Sequence, residues 1–274
     1  MSERSYAERS LLDARLEDAI LRSEKGTVAC LSFLTPRECR QAERFLRQRG
    51  YMENAWLWGG YEGAERKSLF LLPEYLLLCL SEPIERTDPK EFLELLREQV
   101  EKEVCALRVM GSGFRSLTHR DYLGSIMGLG LERDVLGDIA VQKSHEAVLF
   151  CTETIANFLT ENLSKVGSDT VKCRRYEVDE NFTDGRVYQP IRDTVASPRL
   201  DCVVAALTNL SREQAQSAIR SGLVEVEYEP TERTDLILVP PAVLSVRGHG
   251  RFILRSFDGE TRKGRLRLCA DKLI

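Results

Sequence analysis

Histidine is scarce, with three in 274 residues, and the eight cysteines form no CxxC pair and stand at no zinc-finger spacing from a histidine. Those gaps exclude the common zinc modules and leave no Ser-His-Asp or metal-ligand constellation legible. No apolar run approaches the ~20 residues that cross a bilayer. The greasiest stretch, Leu69 to Leu80, is interrupted by Pro73 and Glu74. The opening MSERSYAERSLLDARLEDAI lacks the apolar segment of a secretory signal. The expected location is therefore the cytoplasm, with no membrane partner. There a cysteine inside an apolar run, such as Cys79 in LLLCL or Cys202 in LDCVV, reads as a small reduced core residue. Internal repeats and low-complexity tracts are also missing.

What is present is the balance of a globular chain, 43% hydrophobic and 30% charged, long enough for two or three domains. The net charge of −4 argues against a polyanionic partner until its distribution is considered. From Arg247 to the end, eight Lys and Arg face three Asp and Glu, an excess of +5 that leaves −9 on the remainder. Such asymmetry marks a localised electrostatic footprint.

The pattern along the chain predicts an α+β protein in three parts. Residues 1–83 read as a small α/β module. Leu11, Leu12, Leu16 and Ile20 recur at helical intervals, and Thr35, Pro36 and Glu38 form a capping box for a second helix. Residues 55–58 and 68–72 follow as strands joined by the loop GGYEGAERK. After a charged, proline-containing linker, residues 84–184 read as β-α-β-β-α-β, a ferredoxin-like (RRM-like) order. Its central strands offer Val, Leu, Ile and Ala with one Phe150, so base stacking on that sheet is not expected. A turn-rich break precedes residues 194–274.

In this last part, Leu200, Val203, Val204 and Leu207 define one helix face, which Asn209-Leu210 ends. Ser211 caps a second helix with Gln214 completing the box, and Gly222 supplies a left-handed stop before a strand at Leu223. Arg199 and Arg212 lie at the two helix starts, where backbone N–H groups and the dipole favour anions, and Arg220 lies near the end of the second helix. Arg247 and Arg251 bracket the glycine bend around His249. Beyond it, Arg262, Lys263, Arg265 and Arg267 make a basic hairpin. A folded polyanion is the implied partner, provided that these cations form a single surface and are not locked into internal ion pairs.

The runs S-x-R-L-D, N-L-S-R, G-L-V-x-V and S-V-R-G-x-G-R-F resemble the alpha-L RNA-binding motif, the module shared by the fourth small-subunit ribosomal protein, pseudouridine synthases and tyrosyl-tRNA synthetases. The resemblance implies RNA contacts from Ser211, Arg212 and the basic surface around them. Members of that family usually carry Asn where this chain has Glu227. Upstream, FLTPRE, GGYEGAERK, LTHRDYLGSIMGLGLERDVLGDI and LSKVG are similar to the YlmH family of bacterial RNA-binding proteins. That likeness covers nearly the whole chain. It implies association with the large ribosomal subunit holding an obstructed peptidyl-tRNA, and hence rRNA and tRNA as partners in ribosome quality control.

Enzymatic alternatives are weaker. His119-Arg120-Asp121 has the letters of a kinase catalytic loop, but position 126, where magnesium needs Asn, is Ile. The helix start at Thr118 with Asp121 in a capping box is the plainer reading, with Arg115, His119 and Arg120 as secondary RNA contacts. GGYEGAERK lacks P-loop spacing and reads as a hairpin loop, with Arg66 and Lys67 as further secondary contacts. Arg199-Leu200-Asp201 matches the catalytic triplet of pseudouridine synthases, yet too little chain follows it for a catalytic domain. A methyltransferase would need a glycine-rich strand-to-helix turn, and GSGF lacks its third glycine. The expectation is a non-catalytic RNA binder, a monomer when free, without cofactor or metal. An RNA-modifying enzyme and a protein-interaction adaptor are the rivals.

Overall fold

The computed structural model describes residues 3–84, 86–179 and 181–274, with side chains from residue 11 onward. It divides into two compact units, Met1–Gly185 and Arg186–Ile274. Among the described residues the strands form three sheets, with neighbours paired antiparallel throughout.

The first unit opens with α1 (Glu3–Glu24), β1 (Ala29–Leu34), α2 (Pro36–Gln48), β2 (Ala55–Trp58) and β3 (Lys67–Leu71), the strands lying in the order β1-β3-β2. Leu12, Leu16, Ala42 and Leu46 pack α1 and α2 onto Leu31, Leu69 and Leu71. Leu11, expected on the same face, is 63% exposed. The Thr35–Glu38 capping box starts α2 as predicted. After the short α3 (Glu74–Leu77), the segment read as a linker instead leads into two helices, α4 (Pro89–Leu95) and α5 (Arg97–Glu103). Phe92, Leu96 and Val100, four residues apart, form a stripe hidden among charges. It packs against Trp56, Phe70 and Leu72 on the opposite face of the sheet, with Phe92 stacked on Trp56 at 4.7 Å.

There follow β4 (Cys105–Gly111), α6 (His119–Met127), β5 (Leu136–Lys143), β6 (Glu146–Cys151), α7 (Glu153–Asn162), the short β7 (Lys165–Val166) and β8 (Asp169–Tyr176), in the sheet order β5-β6-β4-β8-β7. Tyr122 and Ile126 of α6 and Ala156 and Leu159 of α7 cover one face, over Leu107, Val109 and Leu149. On the other face Phe150 is 1% exposed, packed with Phe33 and Tyr61 of the first sheet's segment. It is out of reach of a base.

The loop between β2 and β3 is stitched to the start of β5 by buried polar groups. Asp138, 6% exposed, accepts hydrogen bonds from Tyr61 Oη (2.7 Å), Glu65 N (2.8 Å) and Arg66 N (3.1 Å). Arg66 in turn donates to the carbonyls of Leu136 (2.7 Å), Phe33 (2.8 Å) and Arg133 (3.1 Å). Gly137 permits the approach: a Cβ there would sit 2.4 Å from Phe33 Cε1 and 2.9 Å from Phe150 Cβ.

The second unit contains β9 (Tyr188–Val195), α8 (Leu200–Thr208), α9 (Arg212–Arg220), β10 (Val224–Val226), β11 (Glu229–Pro230), β12 (Ala242–Val246), β13 (Gly250–Glu260) and β14 (Leu266–Leu273). The sheet order is β11-β10-β12-β13-β14-β9. β9, inside the stretch read as a break, pairs with β14 along its whole length. Val203, Val204, Leu207, Ala215 and Ile219 pack both helices onto Leu244, Phe252, Leu254 and Leu268. Asn209 ends α8 with φ +56°, and the Ser211–Gln214 box starts α9.

Replacing Gly137 with Ala forces Phe33 or Phe150 to move and should destabilise the protein by about 1–3 kcal/mol. Gly124→Ala on α6, where no atom lies within 4 Å of the added methyl, should be neutral or stabilising. Urea midpoints of the two variants test the contrast.

Candidate nucleic-acid interface

The centre of the second unit's charge is a carboxylate. Asp201, in the first turn of α8, is fully buried. Its Oδ1 accepts from Arg199 Nε (3.1 Å), and its Oδ2 accepts from Arg199 Nη2 (3.3 Å), Arg212 Nε (3.0 Å) and Gln216 Nε2 (2.7 Å). Burial alone would raise the Asp201 carboxyl. The hydrogen bonds from Arg199, Gln216 and Arg212 overcome that and hold it well below the usual carboxylate range. One carboxylate cannot neutralise two guanidiniums, so the cluster keeps a charge of +1. The arginine side chains remain 35% and 56% exposed.

The helix starts differ from one another. Leu200 N and Asp201 N of α8 donate to the carbonyls of Leu236 (2.8 Å) and Thr234 (3.1 Å), so the loop before β12 closes that end to an anion. The start of α9 is open, with Ser211, Arg212, Glu213 and Gln214 all exposed.

Not all of the remaining cations share a surface with Arg199 and Arg212. Arg247 lies in the turn between β12 and β13, and its N–H donates to Leu223 O (2.9 Å) just past the end of α9, where Arg220 is exposed. Phe252, Leu254, Leu266 and Leu268 face the helices. By strand alternation, Arg251 and Arg267 therefore lie on the outer face of the sheet. Arg251 is 5.5 Å from the Tyr228 ring. Arg265 is tied to β9 through Thr194 Oγ1 (3.0 Å). Arg262 and Lys263 sit at the far tip of the β13–β14 hairpin, roughly 30 Å from Arg247 along an 11-residue strand. The expectation of a single cationic surface is corrected on these grounds. Glu227 stands in a left-handed turn (φ +54°), a conformation Asn tolerates better, and its carboxylate accepts from Val243 N (2.7 Å).

In the first unit, Arg115, His119 and Arg120 are exposed around the start of α6, where Thr118 and Asp121 form the expected capping box. Lys67 is half-buried at the start of β3. Arg66 leaves the candidate set: at 8% exposure its guanidinium is spent on three carbonyls. Cys79, read as a core thiol, is exposed. Among the described residues no group of three or more His, Cys, Asp or Glu is placed to hold a metal ion, and no helix is long and apolar enough to cross a membrane.

Residues 98–180 match a family model described as "Putative RNA-binding domain in YlmH". The chain is also 29% identical over 266 residues, 97% of its own length and 95% of the other's, to "Ribosome-associated protein quality control protein P2" of Bacillus subtilis (strain 168). The resemblance to the YlmH family holds. Among solved structures, "Cell division protein ylmH from Streptococcus pneumoniae" aligns with this YlmH-like chain at a TM-score of 0.46 and 17% identity, over 64% of this chain and 93% of that one.

Removing the Asp201 charge should soften the second unit. Asp201→Asn leaves two guanidiniums without their counter-ion and should cost roughly 2–4 kcal/mol, below the full cost of breaking a buried pair because both arginines reach solvent. Because the folded carboxyl titrates below its unfolded value near ~4, its stabilisation is present above that pH and is lost as pH falls. The gap in melting temperature between wild type and Asp201→Asn should therefore be full at neutral pH and shrink in acid.

Proposed function

We propose that this chain is a non-catalytic RNA-binding protein that recognises structured rRNA and tRNA on the large ribosomal subunit, in quality control of a stalled peptidyl-tRNA. The observation that carries the reading is the Asp201 cluster, which holds two partly exposed guanidiniums rigidly beside the open start of α9. Arginine forks fixed in advance lose little entropy on meeting phosphate. The family model described for RNA binding and the printed name of the Bacillus relative, ribosome-associated and concerned with protein quality control, both support this reading.

The strand order β5-β6-β4-β8, with α6 and α7 on one face, supports a ferredoxin-like middle domain between an N-terminal α/β module and a C-terminal alpha-L module. Two short helices laid on an antiparallel sheet support the alpha-L reading. The three-part division is ours, with the first two parts packed within one compact unit. The protein acts in the cytoplasm, as a monomer when free, without cofactor or metal.

Rival chemistry finds little footing. Asp201, the residue a pseudouridine synthase would use as nucleophile, is fully buried, and arginine and glutamine donors occupy both of its oxygens. A doubly wound methyltransferase needs parallel strands, whereas the sheet pairings among the described residues are antiparallel.

Arg212→Gln keeps a donor for Asp201 and removes one cation. It should weaken co-sedimentation of the full chain with large subunits and reduce the log–log salt slope of RNA binding by about 1. Arg251→Glu, on the opposite side of the sheet, should weaken it less. Unchanged sedimentation of Arg212→Gln would remove the Asp201 cluster from the interface, and binding that survives RNase and high salt would favour a protein adaptor.

A further inference from the structure

The loop from β4 to α6 carries a feature that the C-terminal module does not account for. Phe114, at its tip, is 93% exposed, more than any other large apolar side chain among the described residues. A phenyl ring held in water contributes nothing to the folded state by burial.

The loop is nevertheless pinned at both ends. Asp169, 6% exposed, accepts from Ser112 N (3.0 Å) and Ser112 Oγ (2.5 Å). Gly111 N donates to His145 O (2.8 Å), and Leu117 N donates to Ser144 O (2.6 Å) beside the buried Leu117 side chain. The Thr118–Asp121 box closes the end of the loop.

The surroundings of the ring are cationic. Arg115 and Arg120 are exposed on either side of the loop's end, and Lys172 is exposed opposite Met110 in the β4–β8 register. Asp169 and Asp121 stay anionic and offset part of the charge of Arg115 and Arg120, so that with Lys172 the group keeps a net charge of +1. Asp169 binds Ser112, Asp121 binds Thr118, and Glu146 pairs with Arg108 (3.2 Å) and Lys143 (3.7 Å). A displayed aromatic ring, with Met110 39% exposed on the strand before it and guanidiniums and an ammonium around it, suits a base flanked by phosphates better than a protein groove or a bilayer.

We propose that Phe114 is a stacking platform for an unpaired RNA base, with Arg115, Arg120 and Lys172 receiving the flanking phosphates. This second contact rests on the RNA-binding reading above and differs in kind from the C-terminal cluster: it reads single-stranded bases and not a duplex backbone.

The test uses the full chain, with fluorescence anisotropy on a short oligoadenylate strand and on a fully paired RNA duplex. Phe114→Ala should lose about five- to hundredfold in affinity for the single strand, the range expected for one base–aromatic stack. It should leave the duplex affinity and the melting temperature unchanged, and Phe114→Trp should retain single-strand binding. Equal affinity of Phe114→Ala and wild type for oligoadenylate overturns the proposal, as does an equal loss on both RNAs. So does loss of binding to phosphatidylglycerol vesicles with RNA affinity intact. A wild type that binds the duplex but not the single strand overturns this inference alone, and one that binds neither overturns the RNA-binding reading with it.

Discussion

Three buried aspartates organise the loops and helix starts of this protein. Asp138 and Asp169 are 6% exposed and Asp201 is fully buried. A carboxylate away from water is costly unless every lone pair is met. Each of these meets its demand by gathering donors from a segment that would otherwise be slack. Asp138 draws in the loop between β2 and β3, Asp169 pins the start of the loop that bears Phe114, and Asp201 locks Arg199, Arg212 and Gln216 around two helix starts. The demand of each buried charge fixes the donors gathered around it.

The same principle explains why neighbouring arginines have different duties. Arg66 and Arg133 turn inward onto carbonyls, and burial lowers the pKa of both, to about 10 for Arg133. Arg199 and Arg212 keep one side on Asp201 and the other toward solvent. Arg115 and Arg120 are exposed. A count of cations cannot separate these groups; the position of the nearest buried acceptor does.

Much of the fold was legible in local chemistry. The capping boxes at Thr35, Thr118 and Ser211 formed as read, because their donors and acceptors lie within four residues of each other. The α4–α5 pair was missed because Phe92, Leu96 and Val100 are diluted by Glu and Lys, and β9 was missed because its partner residues on β14 are 71 to 85 positions away and its own sequence contains Pro190. The candidate site was only half visible. Arg199 and Arg212 do come together, through Asp201, whose link across the two helices no local spacing announces. The sign of a charge shows in sequence, but the face of a sheet on which it lies depends on strand register. Arg251 was accordingly placed with the helix-side cations when it lies across the sheet. Phe114 sat unremarked between Gly113 and Arg115, since nothing local distinguishes a displayed phenylalanine from a core one.

The covered face of the middle sheet has an implication for modularity. Phe150 and Val148 are each 1% exposed because Phe33 and Tyr61, from well upstream, pack with them. The segment 98–180 that matches the family model therefore shares part of its core with residues that precede it. Excised, it would present a greasy surface and lose the anchor at Asp138. The border of the family match and the border of the packed core thus run through different residues of the same chain.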